Sequence, residues 1–498
     1  MAGSTKLVLV VVDALKPAML EHAIDENRAP AFAEILRRGT YVPDCVSTFP
    51  SVTPVASATI TTGTQLCEHN VPAINWYHRG ESRYVEYGTS LAAARTFGLF
   101  RTLTDIVYNM NFEHLSRAVS TFFELLDDRG VRTACTPYLI YRGHTRHELA
   151  LQGWMRRAAQ AVNFRHAVYG PAELFYGELF TSRPVDCQPT LARPGTRDPY
   201  SACVGEYLER RDLYDFMLFS LPDNDHQSHS HGPQGTIESI ARADRYLMKL
   251  ADAAGGLERF LSDRAVILMA DHAQTPVGEQ VPLVPALAED WRVLAPDDPQ
   301  PRSAELAVSP GARAAMVYLL GENGSREARL RRLVGRASAL EGVELLAWAE
   351  NDEACVRSER GELRFRPGSG YKDLRDRGWD VDGHLEVLQL ERDGDLVRSR
   401  VYPDALARLW SALEAPSSGD LLLSAGLGYE FTDWGGMAHV PGGSHGSLRR
   451  GDSLGPLAFL NCGPDLERDA ASQRPQWSIA DVAPVVLGHF SPSRDDGR

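Results

Sequence analysis

Five short stretches carry side chains that could hold a divalent metal or attack an electrophile. The apolar run Val10-Val11-Val12 ends in Asp13. A carboxylate just past a buried strand suits a metal, and would serve equally as a helix cap. The segment Thr48-Phe49-Pro50-Ser51-Val52-Thr53-Pro54 opens a small-residue helix that runs to Thr62-Gly63. Proline favours the first helical position, which makes Thr53 the N-cap. A hydroxyl there lies in the positive field of the helix N-terminus beside free N–H groups, where an anion is stabilised. Ser51 and Ser57 are rival hydroxyls. The loop from Leu221 to Pro233 holds Asp223, Asp225, His226, His229 and His231. Asp225 and His229 are four apart, so one helical turn puts both on one ion, although spacing alone does not say which histidines bind. Met269-Ala270-Asp271-His272 supplies an adjacent carboxylate and imidazole, and Gly442-Gly443-Ser444-His445-Gly446-Ser447 supplies a histidine whose glycines permit close backbone approach.

These groups must be positioned by something regular. Leu7–Val12, Phe216–Leu221, Val266–Ala270 and Leu457–Leu460 are apolar runs of the kind buried in a parallel sheet. Helix-like stretches such as Pro30–Arg38 and Thr236–Ala254 lie between them, so the chain reads as α/β. Three of these strands end in metal-type ligands, and ligand sites of open parallel sheets collect at the strands' carboxyl ends. Asp244 falls on the apolar face of its helix with Ile237, Ala241, Met248 and Ala251, and reads as a buried hydrogen-bonding residue rather than a ligand.

At 498 residues the chain is long enough for one large α/β domain plus a subdomain. The expected organisation is a catalytic core from 1–276 and 440–498 with an insertion at about 80–200. The region 277–439, with its charged stretch of short strands at Asp352–Arg400, is expected to be partly core and partly an inserted cap. No run of 18 apolar residues appears, so no membrane span is expected. A net charge of −14 with no basic stripe argues against duplex nucleic acid as a partner. Bound cations would then have to attract an anionic substrate. The seven scattered cysteines include no C-x-x-C pair, and the short polar N-terminus carries no export signal. Both fit a reduced, cytoplasmic protein better than a disulfide framework.

Taken in order, the motifs resemble the nucleotide pyrophosphatase/phosphodiesterase branch of the alkaline phosphatase superfamily. The resemblance rests on strand-end Asp13, Phe49-Pro50 through Thr53 to Thr62-Gly63 without a gap, and Asp225 and His229 before Gly232-Pro233. Asp271-His272, His445-Gly446 and the closing Trp477–Pro484 complete it. It implies an alkaline-phosphatase-like core, a largely parallel sheet flanked by helices with an inserted cap. It further implies one zinc held by Asp13, Asp271 and His272 with Thr53 as exchangeable ligand, and a second held by Asp225, His229 and His445. Thr53 would be the nucleophile, passing through a phosphothreonine, and Asn75 would hold a phosphoryl oxygen. Mn2+ is compatible with the same Asp/His sets.

The implied activity is phosphodiesterase or nucleotide pyrophosphatase, on a small-molecule phosphoester with nucleotides among the candidates. Phosphomonoesterase, phosphonate hydrolase and a non-catalytic binding protein on the same fold are the alternatives. A sulfatase would need a Cys or Ser nucleophile in C/S-x-P-x-R, which Ser51-Val52-Thr53-Pro54-Val55 does not supply. The chain departs from the family pattern at Asn224, where a proline is usual and which leaves Asp223 as a rival ligand. It departs again at Pro54-Val55-Ala56-Ser57, after the nucleophile.

Overall fold

The computed structural model describes residues 6–151, 166–177, 179–188, 197–321, 324–462 and 474–491. Among them the main sheet has eight strands. Their order across the sheet is Thr40–Val46, Leu454–Leu460, Arg264–Met269, Lys6–Val12, Phe216–Leu221, Thr133–Cys135, Glu173–Tyr176 and Phe180–Thr181. Lys6–Val12 lies in the middle, parallel to both neighbours, with Leu7 opposite Phe216 on one side and Ala265 on the other. Its side chains alternate between two cores. Leu7, Leu9 and Val11 pack with Ala56, Ile60, Phe122 and Val482, whereas Val8, Val10 and Val12 pack with Phe32, Val204, Leu247 and Leu250. A strand covered by helices on both faces must be apolar at every position, which is what Leu7–Val12 is.

The helix Pro30–Arg38 forms as its spacing predicts, and Ile237–Ala253 fills the expected helical stretch. Asp244 is fully buried and accepts the Phe32 main-chain N–H at 2.8 Å, so its carboxylate caps the neighbouring helix, Pro30–Arg38.

The structure corrects three expectations. Leu454–Leu460 runs antiparallel to both Arg264–Met269 and Thr40–Val46. An apolar run records burial and not direction, and an antiparallel margin on a parallel sheet is common. The stretch at about 80–200 is not wholly an insertion, because it contributes Thr133–Cys135, Glu173–Tyr176 and Phe180–Thr181 to the main sheet. The cysteines are not all thiols: Cys187 and Cys203 form a disulfide, brought together as the helix Asp198–Arg210 packs back onto the sheet, while Cys45, Cys67, Cys135, Cys355 and Cys462 are free.

A second sheet of nine strands occupies much of the region from Leu306 to Ala425, and all but one of its pairings are antiparallel. The charged stretch at 352–400 supplies five of these strands as short hairpins. Gly428–Phe431, Thr275–Val281 and Gly442–Ser444 form a small third sheet joining the two larger ones. Among the described residues, no helix is long and apolar enough to cross a membrane.

Candidate active site

Arg264–Met269, Lys6–Val12 and Phe216–Leu221 are parallel neighbours, so their carboxyl ends open on one edge. Asp13 follows the middle strand, Asp271 and His272 one flank, and the helix Asp223–His231 the other. This helix places Asp225 and His229 one turn apart, with Asp225 Oδ2 at 3.3 Å from His229 Nε2. His226 and His231 point to solvent.

His445 arrives on the loop after Gly442–Ser444. A Cβ on Gly442 would fall well inside contact distance of the His229 carbonyl oxygen, and one on Gly443 would crowd that of Ser228. Only glycine lets this loop reach the helix. Gly446 has a φ of 114°, a conformation that turns the chain away once His445 is delivered.

Two groups of ligand atoms result, each within 4.8 Å of one another: Asp13, Asp271 and His272, and Asp225, His229 and His445. His272 and His445, one from each group, stack with ring centroids 3.9 Å apart. All three histidines are held by Nδ1 against a main-chain carbonyl: His229 to Gly443 at 2.8 Å, His445 to Ser51 at 2.8 Å and His272 to Ala273 at 3.3 Å. Each bond leaves Nε2 for the interior of the site, the arrangement a metal-ligating imidazole needs. The Asp13 Oδ1 atom is buried without a hydrogen-bond partner. Buried polar atoms are normally satisfied, so an orphan among carboxylates and imidazoles fits a cation.

The charges agree with that fit. Burial pushes the Asp13 carboxyl well up, with Asp271 and Asp225 adding like-charge repulsion. Burial raises Asp271 to about 6. His272 is lowered to about 4 and His445 to about 3, chiefly by burial, so both rings are neutral as ligands must be. Burial works against the Asp225 carboxylate too, yet His229 beside it, itself raised by that carboxylate, holds it below its usual range. Crowded carboxylates with no cation among them are costly, and a divalent ion in each group would relieve both.

Thr53 is the first residue of the helix Thr53–Thr62 and Val52 the cap, one residue earlier than the sequence suggests. Its Oγ1 lies 3.1 Å from His272 Nε2, at the helix N-terminus. The rival hydroxyls are both closed off from the site's opening by burial. Ser51 is fully buried and bonds the Ser447 carbonyl and the Gly446 N–H, and Ser57 is fully buried within the helix.

Asp223 is also removed from contention. Its carboxylate accepts the main-chain N–H groups of Arg197 and Asp198, and Asp198 returns the bond to the Asp223 N–H. Asn224, in the place of the usual proline, donates to the Asp13 carbonyl at 2.9 Å and accepts from Ser239. Asn75 lies buried at the start of the strand Asn75–His78, with its amide nitrogen donating to Val85 O and Glu86 Oε2. Both amide hydrogens are thereby engaged, and the contact to a phosphoryl oxygen implied by the resemblance has no free donor at this position.

Sequence reasoning passed over three supporting residues. Gln274 donates to the Asp225 carboxylate and carbonyl. His439 stacks on His229 at 3.7 Å, its Nδ1 held by the buried Glu430 at 2.7 Å. No local pattern marks any of the three, because each gains its role only through contact with a residue distant in sequence or held on the third sheet. A further group, His78, Glu81 and His114, has ligand-like spacing, but the Glu81 N–H occupies His78 Nδ1 and the Glu81 carboxylate pairs with Arg83.

The family model for type I phosphodiesterase/nucleotide pyrophosphatase matches residues 7–448. The chain belongs to that family. Membership places it among hydrolases acting on phosphoester bonds in the alkaline phosphatase superfamily, a class of metalloenzymes typically carrying two metal ions. No curated protein matches the chain. Among solved structures it is similar to phosphonoacetate hydrolase from Sinorhizobium meliloti 1021 in complex with phosphonoformate. That likeness has 17% identity and a TM-score of 0.57, over 98% of this chain and 96% of that one. Murine ectonucleotide pyrophosphatase/phosphodiesterase 5 is similar at 12% identity and a TM-score of 0.55, over 99% of this chain and 97% of that one. An inactive form of the murine protein in complex with AMP aligns at 12% identity and 0.55, over 97% and 94%. At these identities the likenesses speak to the fold.

Proposed function

We propose that this family member is a two-zinc phosphodiesterase in which Thr53 is the nucleophile. The observation that carries the reading is the position of the Thr53 hydroxyl, at a helix N-terminus and 3.1 Å from a candidate ligand nitrogen. When bound, two zinc ions would supply Lewis acidity and neutralise charge on the nucleophile, the phosphoryl group and the leaving oxygen. Asp13, Asp271 and His272 would hold the ion beside Thr53, and Asp225, His229 and His445 the other. Thr53 Oγ1 loses its proton to solvent and attacks phosphorus in line, and the bond to the leaving oxygen breaks on the opposite side, that oxygen departing as the alcohol or its anion. The product is a Thr53 phosphoester that retains the substrate's other group. Free N–H groups of the helix N-terminus stabilise negative charge on the phosphoryl oxygens. Water then attacks from the leaving-group side and regenerates the Thr53 hydroxyl.

Preference for a diester follows from the cations available. A monoester dianion needs more positive charge around its free oxygens than a diester does. Arg79, the first arginine after Thr53 in sequence, is paired with Asp420 and the Ser418 carbonyl. Metal-loaded protein should therefore hydrolyse bis(p-nitrophenyl) phosphate with at least about tenfold higher kcat/KM than p-nitrophenyl phosphate, roughly 1.4 kcal/mol of transition-state binding. Equal or faster monoester turnover would overturn the preference.

One observation favours a second reading. Arg197 is exposed, makes no ion pair among the described residues, and its charge reaches Asp13. A guanidinium there suits a dianionic phosphonate or monoester. Under this reading Arg197→Ala lowers monoester turnover and spares the diester. Under the first it changes the ratio little.

A further inference from the structure

Arg313 and Asp452 are both fully buried and form an ion pair, Nη1 to Oδ1 at 2.6 Å. Neither is a candidate ligand. Arg313 sits in the turn between Leu306–Gly311 and Ala314–Leu319 of the second sheet, and Asp452 in the short helix before Leu454–Leu460 of the main sheet. A buried pair is tolerated only where its remaining donors and lone pairs are satisfied. Here they are: Arg313 also donates to the carbonyls of Tyr429 at 3.0 Å and Gly426 at 2.7 Å, and Asp452 also accepts the Thr275 hydroxyl and the Ser447 N–H.

The partners around this pair flank the candidate ligands of both metal groups. The Arg313 N–H donates to the His445 carbonyl at 2.7 Å, and Ser447, held by Asp452 Oδ2 at 2.9 Å, lies two residues past His445. On the other side, the Ala273 N–H donates to the Asp452 carbonyl at 2.9 Å, directly after His272. Between Ala273 and Thr275 stands Gln274, which bonds Asp225. We propose that Arg313 and Asp452 act as a positioning pair that sets the spacing of the His272 and His445 loops, so that zinc affinity at both sites depends on an arginine delivered by the second sheet. The proposal rests on the two-metal reading.

The test counts zinc and does not depend on turnover. Parent protein purified without chelator is titrated with a chromogenic chelator. The same is done for Arg313→Lys, for Thr275→Val, which removes one hydroxyl from Asp452, and for Arg142→Lys, whose pairing with Glu124 touches no ligand-bearing loop. Circular dichroism and gel filtration establish that each variant is folded. Arg313→Lys should release its zinc at chelator concentrations at least roughly tenfold lower than the parent, in keeping with the cost of losing support behind a ligand. Excess zinc should restore its activity. Thr275→Val should shift in the same direction by a few-fold, and Arg142→Lys should release zinc as the parent does. Folded Arg313→Lys and Thr275→Val with parental zinc affinity would overturn the proposal, and Thr275→Val decides alone should Arg313→Lys not fold. A parent that takes up no zinc would instead defeat the two-metal reading itself.

Discussion

At the scale of single residues, the account depends on a hydroxyl and six ligands whose environments differ in ways the sequence does not display. Thr53→Ala should abolish hydrolysis, a loss of several orders of magnitude for a sole nucleophile, while leaving zinc content near the parental level. Steady-state turnover and elemental analysis on one preparation check both halves. Asp13, Asp225, His229, Asp271, His272 and His445 all stood out in the sequence as candidate ligands, although the choice of Asp225 and His229 over Asp223, His226 and His231 came from the family resemblance and not from spacing. Their division into two groups came from the family resemblance, and the structure assembles the same two groups. Asn75 was not legible in this way, since the engagement of its amide with Glu86 is a cross-strand contact. The raised carboxyl groups also make zinc binding sensitive to acid. In the metal-free chain Asp271 takes up its proton at about pH 6, and a proton there competes with a cation. Zinc affinity, followed by competition with a chelator, should fall as the pH drops through about 6. A flat profile from pH 7.5 to 5 would contradict the ligand role of Asp271.

At the scale of elements, burial was readable and direction was not. The long helices and central strands follow from periodicity and apolar runs, as Pro30–Arg38 and Lys6–Val12 show. Thr133–Cys135 and Phe180–Thr181 are three and two residues long, too short to leave a period, and their place in the sheet is set by tertiary packing alone. Asp244 makes the same point with a testable consequence. Its carboxylate caps the helix Pro30–Arg38 from a fully buried position, and burial raises its pKa from 3.8 to about 6. With a folded pKa above the unfolded one, the contribution favouring the fold is fully present below about pH 3.8 and is lost as the pH rises through about 6. Asp244→Asn keeps an oxygen to accept the Phe32 N–H and removes the charge. Relative to the parent it should gain stability across that window, on the order of 2–3 kcal/mol at neutral pH for a shift of roughly two units. Urea denaturation at pH 4 and pH 7 measures it. An equal difference between parent and variant at both pH values would sink the argument.

At the scale of the whole molecule, the parallel sheet gathers three ligand-bearing strand ends on one edge, and the third sheet brings His445 and His439 to them from the opposite side. Neither half holds a complete site. The first contributes Asp13, Thr53, Asp225, His229, Asp271 and His272, and the second closes it with His445. That division explains why the centre could be read from motifs while its supports could not, for Gln274, His439, Arg313 and Asp452 gain their roles only when distant segments meet. The central claim is that this assembly exists to make Thr53 attack phosphorus. Acid quenching of zinc-loaded protein during turnover of bis(p-nitrophenyl) phosphate, followed by peptide mass spectrometry with fragmentation, tests it most directly. The account predicts a p-nitrophenyl phosphoryl adduct localised to Thr53. An adduct on Ser51 or Ser57, or burst release of p-nitrophenol with Thr53 unmodified, would contradict it.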